Sequence, residues 1–432
     1  MGGRNSIPTP AQSLFRCTIF YHHLNNIALK KLSLIILLNF ICIYTFAQAE
    51  NKIEIGTIDS IQSKILNEKR KIWIYIPKGI DDSTFLPQRY PVVYLLDGNS
   101  NFSSVVGMLQ KLSGGLNSVC PQMIVVGIPN TKRTRDLTPT KPVTDTSNSS
   151  GGGELFISFI EKELMPYIDS VYPTQPYKML IGHSFGGLTV MNALLNHTKL
   201  FNSYISIDPS MWWDKQNLLK ASKKLFLQNS FVGKSLFVGI ANTMETGINL
   251  NDIVNDTTSK TLHIRSILEM DKFIKTQNPQ GLNYASKYYE NDDHGSVQLI
   301  TEYDALRFIF NRYSLRLSVS NKEYNDSTFD IADRIDFHFK QVSEFMGYKV
   351  MMPENLLNAE ASRLFRLKQY IKTEGLLNLY IDSYPKSANG YDFYGDYYIA
   401  IGDKLKAIEY FKKALTIKES TETKKKLNKL LE

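Results

Sequence analysis

Cysteine is scarce in this sequence, with three residues in a chain of 432. Two of them, Cys17 and Cys42, lie in an N-terminal segment that we predict to be removed. Cys120 then has no partner, which excludes an intramolecular disulfide in the mature chain. Because Cys120 stands just before the apolar run 123–126, we predict that it is a buried small hydrophobic residue and not a nucleophile.

Long basic runs and ligand-binding motifs are also missing. The net charge is +8, and the basic cluster at 424–429 fits the solvated face of a final helix, which argues against nucleic acid as a partner. The glycines at 151–153 lack the lysine of a phosphate-binding loop, and we predict a flexible hinge there. HExxH and paired-histidine spacings are absent, and Asp292 and Asp293 beside one histidine make a poor ligand set. We therefore predict no metal and no cofactor.

An apolar stretch near the N-terminus predicts export. Lys30 and Lys31 precede the apolar residues 32–46, and the small-x-small sequence AQA follows at 47–49. This order is typical of a secretory signal peptide that is cleaved before Glu50. The stretch is short for a membrane span, and Cys42 lacks the small residues expected before a lipidated cysteine. We expect a periplasmic or secreted protein without a stable membrane anchor, and a translation start near Lys30, with a cytoplasmic extension as the alternative.

The composition is that of a globular protein, 43% hydrophobic and 21% charged, and the length suggests two folded units. Up to about residue 313, short apolar runs alternate with helical patterns. The predicted strands cover residues 72–76, 92–96, 123–126, 179–181, 203–207, 236–240 and 284–289. Continuous apolar runs indicate strands covered on both faces. We predict a mostly parallel sheet with an antiparallel edge and helices on each side, including helices at 154–167 and 187–196.

The C-terminal part follows a helical pattern with a period of 34 from residue 353 onward. In the second unit the spacing of tetratricopeptide repeats is met by Tyr391, Tyr394, Gly395, Tyr398, Gly402, Ala407, Phe411 and Ala414. The preceding unit matches poorly, since Thr373 and Tyr380 replace small residues. Because isolated repeats are seldom stable, we expect this pair to pack on the preceding domain or on additional helices.

The sequence IGHSFGGLTV at 181–190 places Ser184 between an apolar strand and a helical pattern. Small residues around a serine at a strand-to-helix turn are typical of a nucleophile elbow. The alternative is a serine in a glycine-rich loop. The context favours Ser184 as a nucleophile.

A serine nucleophile needs a histidine base and a carboxylate to orient it, normally in the order serine, acid, histidine. His183 lies inside the elbow, and His197 follows Ser184 too closely. His263 falls in an apolar helical run, and His338 lies beyond the sheet. His294 remains, in a polar loop after the last predicted strand, where such folds build their sites.

The acid is predicted to follow the strand 236–240. Glu245 is the first choice and Asp252 the second. Asp208 also follows a strand, but one strand too early. All three could instead be solvated carboxylates.

The oxyanion of an acyl-transfer intermediate needs backbone donors. The residue after the nucleophile, Phe185, supplies one N–H. The second is expected from the loop LLDGNS at 95–100, where Gly98 permits a close turn and Asn99 is the predicted donor.

Six sequence blocks carry a family resemblance: residues 95–98, 125–130, 133–139, 182–187, 209–213 and 293–296. Together they resemble the Putative esterase family of α/β-hydrolases, particularly its esterase D and siderophore-esterase-like members. The resemblance covers about residues 52–313 and implies an α/β-hydrolase fold with Ser184 as nucleophile and His294 as base. It leaves the acid open, because some relatives manage with a serine–histidine dyad.

With that resemblance the chain divides into four segments. We predict an extension and signal peptide at 1–49, an α/β-hydrolase domain at 50–313, a linker or packing segment at 314–352, and a small all-α domain of tetratricopeptide-like repeats at 353–432.

Four side chains near the predicted site are candidates for substrate binding. Arg133 and Arg135 could hold an anionic or catecholate group, or bind the protein's own carboxylates such as Asp136. Trp212 and Trp213 could stack on a sugar or aryl ring, or cover the core.

The sequence therefore predicts a serine esterase that forms an acyl-enzyme on a small-molecule or glycan ester. The resemblance points to siderophore esters of the enterobactin type, with feruloyl or acetyl carbohydrate esters as the alternative. A non-catalytic protein that recruits a protein partner through its helical repeats is the hypothesis from another class.

Overall fold

The computed structural model describes residues 53–77, 88–114, 118–147, 149–253, 255–315, 317, 320–326 and 328–432. The predicted signal peptide lies outside these residues. Gly56–Glu432 forms one compact unit. Within the described residues, every helix is too short or too polar to cross a lipid bilayer.

The described residues contain an eight-stranded sheet with the order β1-β2-β4-β3-β5-β6-β7-β8. Its strands are β1 (Thr57–Ser63), β2 (Glu68–Tyr75), β3 (Tyr90–Leu96), β4 (Ile124–Ile128), β5 (Thr174–His183), β6 (Ser203–Ile207), β7 (Lys234–Ala241) and β8 (Leu282–Tyr289). β1 and β2 pair antiparallel, β2 pairs antiparallel with β4, and all other neighbours are parallel. This is the α/β-hydrolase arrangement, so the predicted fold class is confirmed.

Continuous apolar sequences produce the central strands. Every residue of β3, β4 and β6 is buried, as expected for strands that are covered by helices on both faces. Parallel pairing then brings the carboxyl ends of β3, β5, β6, β7 and β8 to the same edge of the sheet. Loops leaving these strands converge there.

The helices of the first part are α1 (Gly98–Leu112), α2 (Arg133–Leu137), α3 (Gly153–Phe159), α4 (Met165–Val171), α5 (Phe185–Asn196), α6 (Trp213–Gln228), α7 (Leu262–Gln277) and α8 (Val297–Ile309). The helix predicted at 154–167 is interrupted by a π-helical segment, Ile160–Leu164, that joins α3 to α4. The helix predicted at 187–196 is α5.

The remaining helices are α9 (Asn321–Asn325), α10 (Ile331–Met346), α11 (Glu354–Arg366), α12 (Tyr370–Ser383), α13 (Ala388–Ala400), α14 (Lys404–Ile417) and α15 (Thr421–Leu431). The segment 314–352 is thus not merely a linker, because it contains α9 and α10. In the 16-residue α10, apolar residues recur at helical spacing, and one side of the helix is therefore buried.

One face of the sheet and the C-terminal helices share a hydrophobic core. The cluster runs from Val93 on β3 through Phe339 on α10 to Phe411 on α14. Phe345 of α10 packs against Tyr177 of β5 with ring centroids 5.8 Å apart. The helical region therefore packs on the sheet domain, one of the two arrangements expected from the sequence.

Cys120 belongs to the same core and is fully buried. Burial raises the pKa of its thiol to about 12, which keeps it protonated at neutral pH. The prediction that Cys120 is buried is confirmed.

A close approach of two helices occurs at Gly395 of α13. A Cβ atom at this position would collide with the ring of Phe411 on α14. The small residue at position 395 therefore lets α13 and α14 pack closely.

Candidate active site

Ser184 occupies a strained turn between β5 and α5. Its φ of 59° and ψ of −115° lie outside the regions that side chains other than glycine commonly adopt. A Cβ atom on Gly182 would collide with the backbone of Gly186, and one on Gly187 would lie 3.0 Å from the carbonyl oxygen of Ile207. Glycine is therefore required on both sides of the serine, and the predicted strand–turn–helix geometry is present.

Asp208 and His294 meet at the same edge of the sheet. Asp208 follows β6, and His294 lies in the loop between β8 and α8. Asp208 Oδ2 is 2.6 Å from His294 Nδ1 and 2.8 Å from His263 Nε2. The side chain of Asp208 is fully buried, whereas that of His294 is 43% exposed. Oδ2 of Asp208 is thus within hydrogen-bond distance of both histidines.

The negative charge of Asp208 determines which ring nitrogen of His263 and of His294 carries a proton. Burial alone would raise the pKa of Asp208, but hydrogen bonds from His263, His294 and the Ala241 amide hold it well below its ordinary value. An ionised carboxylate only accepts hydrogen bonds. His294 therefore carries its proton on Nδ1, and its Nε2 is left as a proton acceptor.

Backbone contacts connect Ser184 to this cluster. The Ser184 amide donates to the carbonyl of Ile207, the residue before Asp208, at 2.9 Å. The Ser210 amide donates to the Ser184 carbonyl at 3.1 Å, and the two hydroxyl oxygens are 3.3 Å apart. Ser184, Asp208 and Ser210 consequently form one rigid corner, and Ser210 was not singled out in the sequence.

His183, the residue before the serine, supports the ring of His294. The two ring centroids lie 4.4 Å apart. Burial, together with the nearby His294, lowers the pKa of His183 to about 4, so this ring is neutral at physiological pH. His183 therefore packs against the predicted base without adding a charge.

The first choice for the acid, Glu245, is wrong. Its side chain is 64% exposed and forms an ion pair with Lys260 at 2.8 Å. The second choice, Asp252, accepts a hydrogen bond from the amide of Asn249 in its own turn. The carboxylate bonded to His294 belongs to Asp208, because β6 lies directly beside β7 and a side chain leaving β6 reaches the same loop.

The two predicted oxyanion donors lie at the starts of two helices. Phe185 is the first residue of α5, and the amides of a helix's first turn have no acceptor within the helix. Asn99 is the second residue of α1, and its side-chain oxygen accepts from the Asn130 amide at 3.4 Å. The space at Gly98 is taken up by the end of β4, since a Cβ atom there would lie 2.6 Å from the Ile128 nitrogen. The oxyanion roles of Phe185 and Asn99 stay predictions.

Arg133 ties the loop after β3 to the elbow. Its Nε and Nη2 donate to the two carboxylate oxygens of Asp97 at 2.6 and 3.0 Å, and Nη2 also reaches the His183 carbonyl at 3.3 Å. The guanidinium lies over the ring of Phe185 at 5.6 Å and remains 35% exposed. Arg133 is thus both a structural tie and a cation beside Ser184.

Arg135 is used internally. Its guanidinium contacts Glu68 at 2.8 Å and Asp136 at 2.6 Å. Asp136 in turn contacts the fully buried Arg70. The substrate-binding role predicted for Arg135 is wrong, and the alternative of a bond to Asp136 is confirmed.

Trp212 and Trp213 form an aromatic group with Phe185. Trp213 packs edge-on against Phe185 at 5.0 Å, and Trp212 lies 6.2 Å from the same ring. The Trp213 indole donates to the Thr140 carbonyl at 3.0 Å. Both tryptophans are half-buried, so they cover Phe185 and still present ring surface near Ser184.

Asp208, His263 and His294 each offer one atom within 4.8 Å of the others, a spacing that a metal ion could use. Metal bonds of about 2.0–2.2 Å would hold the ligand atoms of a tetrahedral site more than 3 Å apart. Here both nitrogens lie at hydrogen-bond distance from one oxygen. The geometry is that of a hydrogen-bonded cluster.

A cavity of about 930 Å³ lies along α8, away from these residues. Its walls include Phe237, Lys287, Tyr303 and Arg307. None of the residues bonded to Asp208 lines this cavity.

The family model described as Putative esterase matches residues 63–235. The ferri-bacillibactin esterase BesA of Bacillus subtilis is 34% identical over 171 residues, which are 36% of this chain and 58% of BesA. This chain spans about half the length of the curated relatives it matches.

Two solved structures extend the comparison. An uncharacterised protein from Capnocytophaga ochracea shares the fold, with a TM-score of 0.60 at 20% identity over 87% of this chain and 99% of that one. An IroE-like serine hydrolase from Shewanella oneidensis has a TM-score of 0.62 at 31% identity, and the match covers 75% of this chain and 98% of that protein. The chain therefore belongs to the Putative esterase family.

Proposed function

We propose that this protein is a serine esterase in which Ser184 is the nucleophile, His294 the general base and Asp208 the orienting acid. The hydrogen bond of 2.6 Å between His294 Nδ1 and Asp208 Oδ2 carries the proposal. It orients the imidazole so that Nε2 is free to accept a proton, and a backbone hydrogen bond joins the strained elbow of Ser184 to Ile207, the residue before Asp208. Membership in a family of esterases supports the same reaction.

The reaction proceeds in two steps. Ser184 Oγ attacks the ester carbonyl as its proton passes to His294 Nε2, and the amide of Phe185 donates to the oxyanion. His294 returns that proton to the departing alcohol, which leaves an acyl-enzyme. Water then attacks the acyl group and gives a proton to His294, and Ser184 recovers this proton as the acid departs.

Siderophore esters are the substrate class that we favour. Arg133 presents a cation beside the half-buried aromatic group of Phe185, Trp212 and Trp213. This pairing suits an aryl ester that carries negative charge, such as a catecholate. The name of BesA, a ferri-bacillibactin esterase, supports the assignment. Feruloyl or acetyl esters of carbohydrates are the second candidate, because the same rings suit a sugar or aryl face.

Two further parts of the proposal rest on the sequence. The apolar stretch before Glu50 supports export to the periplasm or medium, which sequencing of the mature N-terminus tests. The 34-residue pattern and the close pair α13–α14 support tetratricopeptide-like repeats that could hold a protein partner.

Steady-state hydrolysis of p-nitrophenyl acetate tests the reaction. Ser184→Ala and His294→Ala are expected to abolish turnover while circular dichroism shows a folded chain. Full activity in either folded variant would overturn the mechanism. A panel of ferric-siderophore, feruloyl and acetylated-sugar esters then ranks the substrates. A folded wild-type chain that hydrolyses none of them would favour the non-catalytic binding role.

A further inference from the structure

His263 is a second histidine on the carboxylate of the proposed acid. It is the second residue of α7, and its Nε2 lies 2.8 Å from Asp208 Oδ2. This is the same oxygen that accepts from His294 Nδ1. The His263 and His294 rings meet edge to face, with centroids 5.2 Å apart at 89°. The side chain of His263 is 19% exposed.

The hydrogen bonds leave Asp208 little freedom. Its Oδ1 accepts from the Ala241 amide at 3.0 Å, and its Oδ2 accepts from both histidines. Asp208 also has a φ of 42°, a conformation that favours glycine and that persists only where neighbouring contacts hold it. His263 is therefore one of three donors that set where the carboxylate stands and how its charge is shared.

Resting on the function proposed above, we propose that His263 is a positioning residue that competes with His294 for the same oxygen of Asp208 and thereby limits how strongly this carboxylate stabilises a proton on the catalytic base. A hydrogen bond donated by His263 draws charge from the oxygen that would otherwise stabilise the His294 imidazolium. A proton on His263 adds a repulsive charge and acts in the same direction. Removing His263 should therefore make His294 take up its proton at higher pH.

The other charged and titratable groups near His294 come from several elements. His183 of β5 packs on its ring, and Asp293 is its neighbour in the loop. The negative charge of Asp97, the residue after β3, opposes the lowering of the His183 pKa, and Asp97 forms an ion pair with Arg133 of α2. Substitution of His263 leaves these residues in place, so a shift in titration reports the loss of the His263 donor or of its charge, and the two effects are separated by His263→Gln.

The test compares His263→Leu, which removes the donor, with His263→Gln, which keeps an N–H donor but cannot ionise. For His263→Leu we expect kcat/KM on p-nitrophenyl acetate to fall about 10-fold, as for loss of a hydrogen bond to a charged group. The acidic limb of its pH profile should move to higher pH, and His263→Gln should lie between His263→Leu and wild type. His197→Leu is the matched control, because His197 also bonds a carboxylate, Glu154 at 2.9 Å, but lies outside the cluster.

A direct titration separates this inference from the esterase assignment. NMR of the histidine ring nitrogens in a Ser184→Ala background follows protonation of His294 without any turnover. A shift to higher pH in the added His263→Leu variant supports the inference even if no ester is hydrolysed. An unchanged His294 titration in a folded His263→Leu variant would overturn it, and so would an acidic limb that stays in place while only kcat/KM falls.

Discussion

The carboxylate of Asp208 lies 2.6 Å from the imidazole Nδ1 of His294, although the two residues leave different strands of the sheet. Asp208 follows β6 and not β7, where the sequence placed the acid. Since neighbouring strands are only about 4.8 Å apart, one side chain can span the difference. The candidate triad therefore keeps the order serine, acid, histidine, with the acid one strand earlier.

Exchange of Asp208 for asparagine should reduce kcat by about a thousandfold to ten-thousandfold. The amide of the introduced asparagine can donate to His294 Nδ1 and so favours the tautomer whose Nε2 already carries a proton. Glu245→Gln is the matched control, because Glu245 pairs with Lys260 in solvent and should leave kcat unchanged. Steady-state kinetics on p-nitrophenyl acetate distinguish the two. A large loss in Glu245→Gln with none in Asp208→Asn would restore the original assignment.

Arg133→Met should slow hydrolysis of even an uncharged ester, because Arg133 ties Asp97 to the carbonyl of His183. Loss of one oxyanion donor typically lowers kcat about a hundredfold to a thousandfold. This is the largest decrease in kcat that we expect if Arg133→Met displaces the loop after β3. Arg133→Lys should recover little, since lysine cannot reproduce the two-point contact. Arg366→Met on α11 is a surface control. If only anionic esters are affected, Arg133 contacts substrate and does not hold the loop.

Glu302 in α8 should make stability fall as pH rises. Burial raises its pKa to about 8, and its Oε2 has no hydrogen-bond partner among the described residues. The folded state therefore keeps a proton that the unfolded state releases above its ordinary value of 4.5. Between these two values the free energy of unfolding should fall by up to about 1.4 kcal/mol per pH unit.

Glu302→Gln removes this titration and should stabilise the protein more at pH 8 than at pH 5, which urea unfolding at both values measures. Glu245→Gln serves again as the exposed control. An equal effect of Glu302→Gln at both pH values would contradict the raised pKa.

Two glycines in the helical region should respond to alanine in opposite directions. Gly395→Ala places a methyl group in the space of the Phe411 ring and should cost about 1–3 kcal/mol. Gly375 lies within α12, and a Cβ atom there would meet nothing within 4 Å. Gly375→Ala should therefore stabilise the chain by about 0.5–1 kcal/mol. Thermal unfolding compares them, and equal melting temperatures would argue against close packing of α13 on α14.

The sheet and the elbow were predictable from sequence because their signals are local. Apolar runs mark buried strands, and the glycines around Ser184 are required within the turn itself. His294 followed from its position after the last strand. Each inference needed only short stretches of chain and the rule that loops meet where parallel strands end.

The acid and His263 could not be predicted in this way. Glu245 and Asp208 both follow a strand, and only side-chain direction decides which reaches His294. His263 was dismissed as part of an apolar helix, but it is the second residue of α7, at the end that lies beside Asp208. The sequence also could not decide between the two roles considered for Arg135, because its bonds to Glu68 involve a strand that is far away in sequence.

Covalent labelling of Ser184 tests the central claim most directly. A fluorophosphonate forms a phosphorus–oxygen bond with an activated serine and releases fluoride, and mass spectrometry of the intact protein counts the adducts. We predict one adduct, located by proteolysis at Ser184, absent from Ser184→Ala and formed much more slowly in His294→Ala. A folded wild-type protein that takes up no label, or an adduct that persists in Ser184→Ala, would contradict the account.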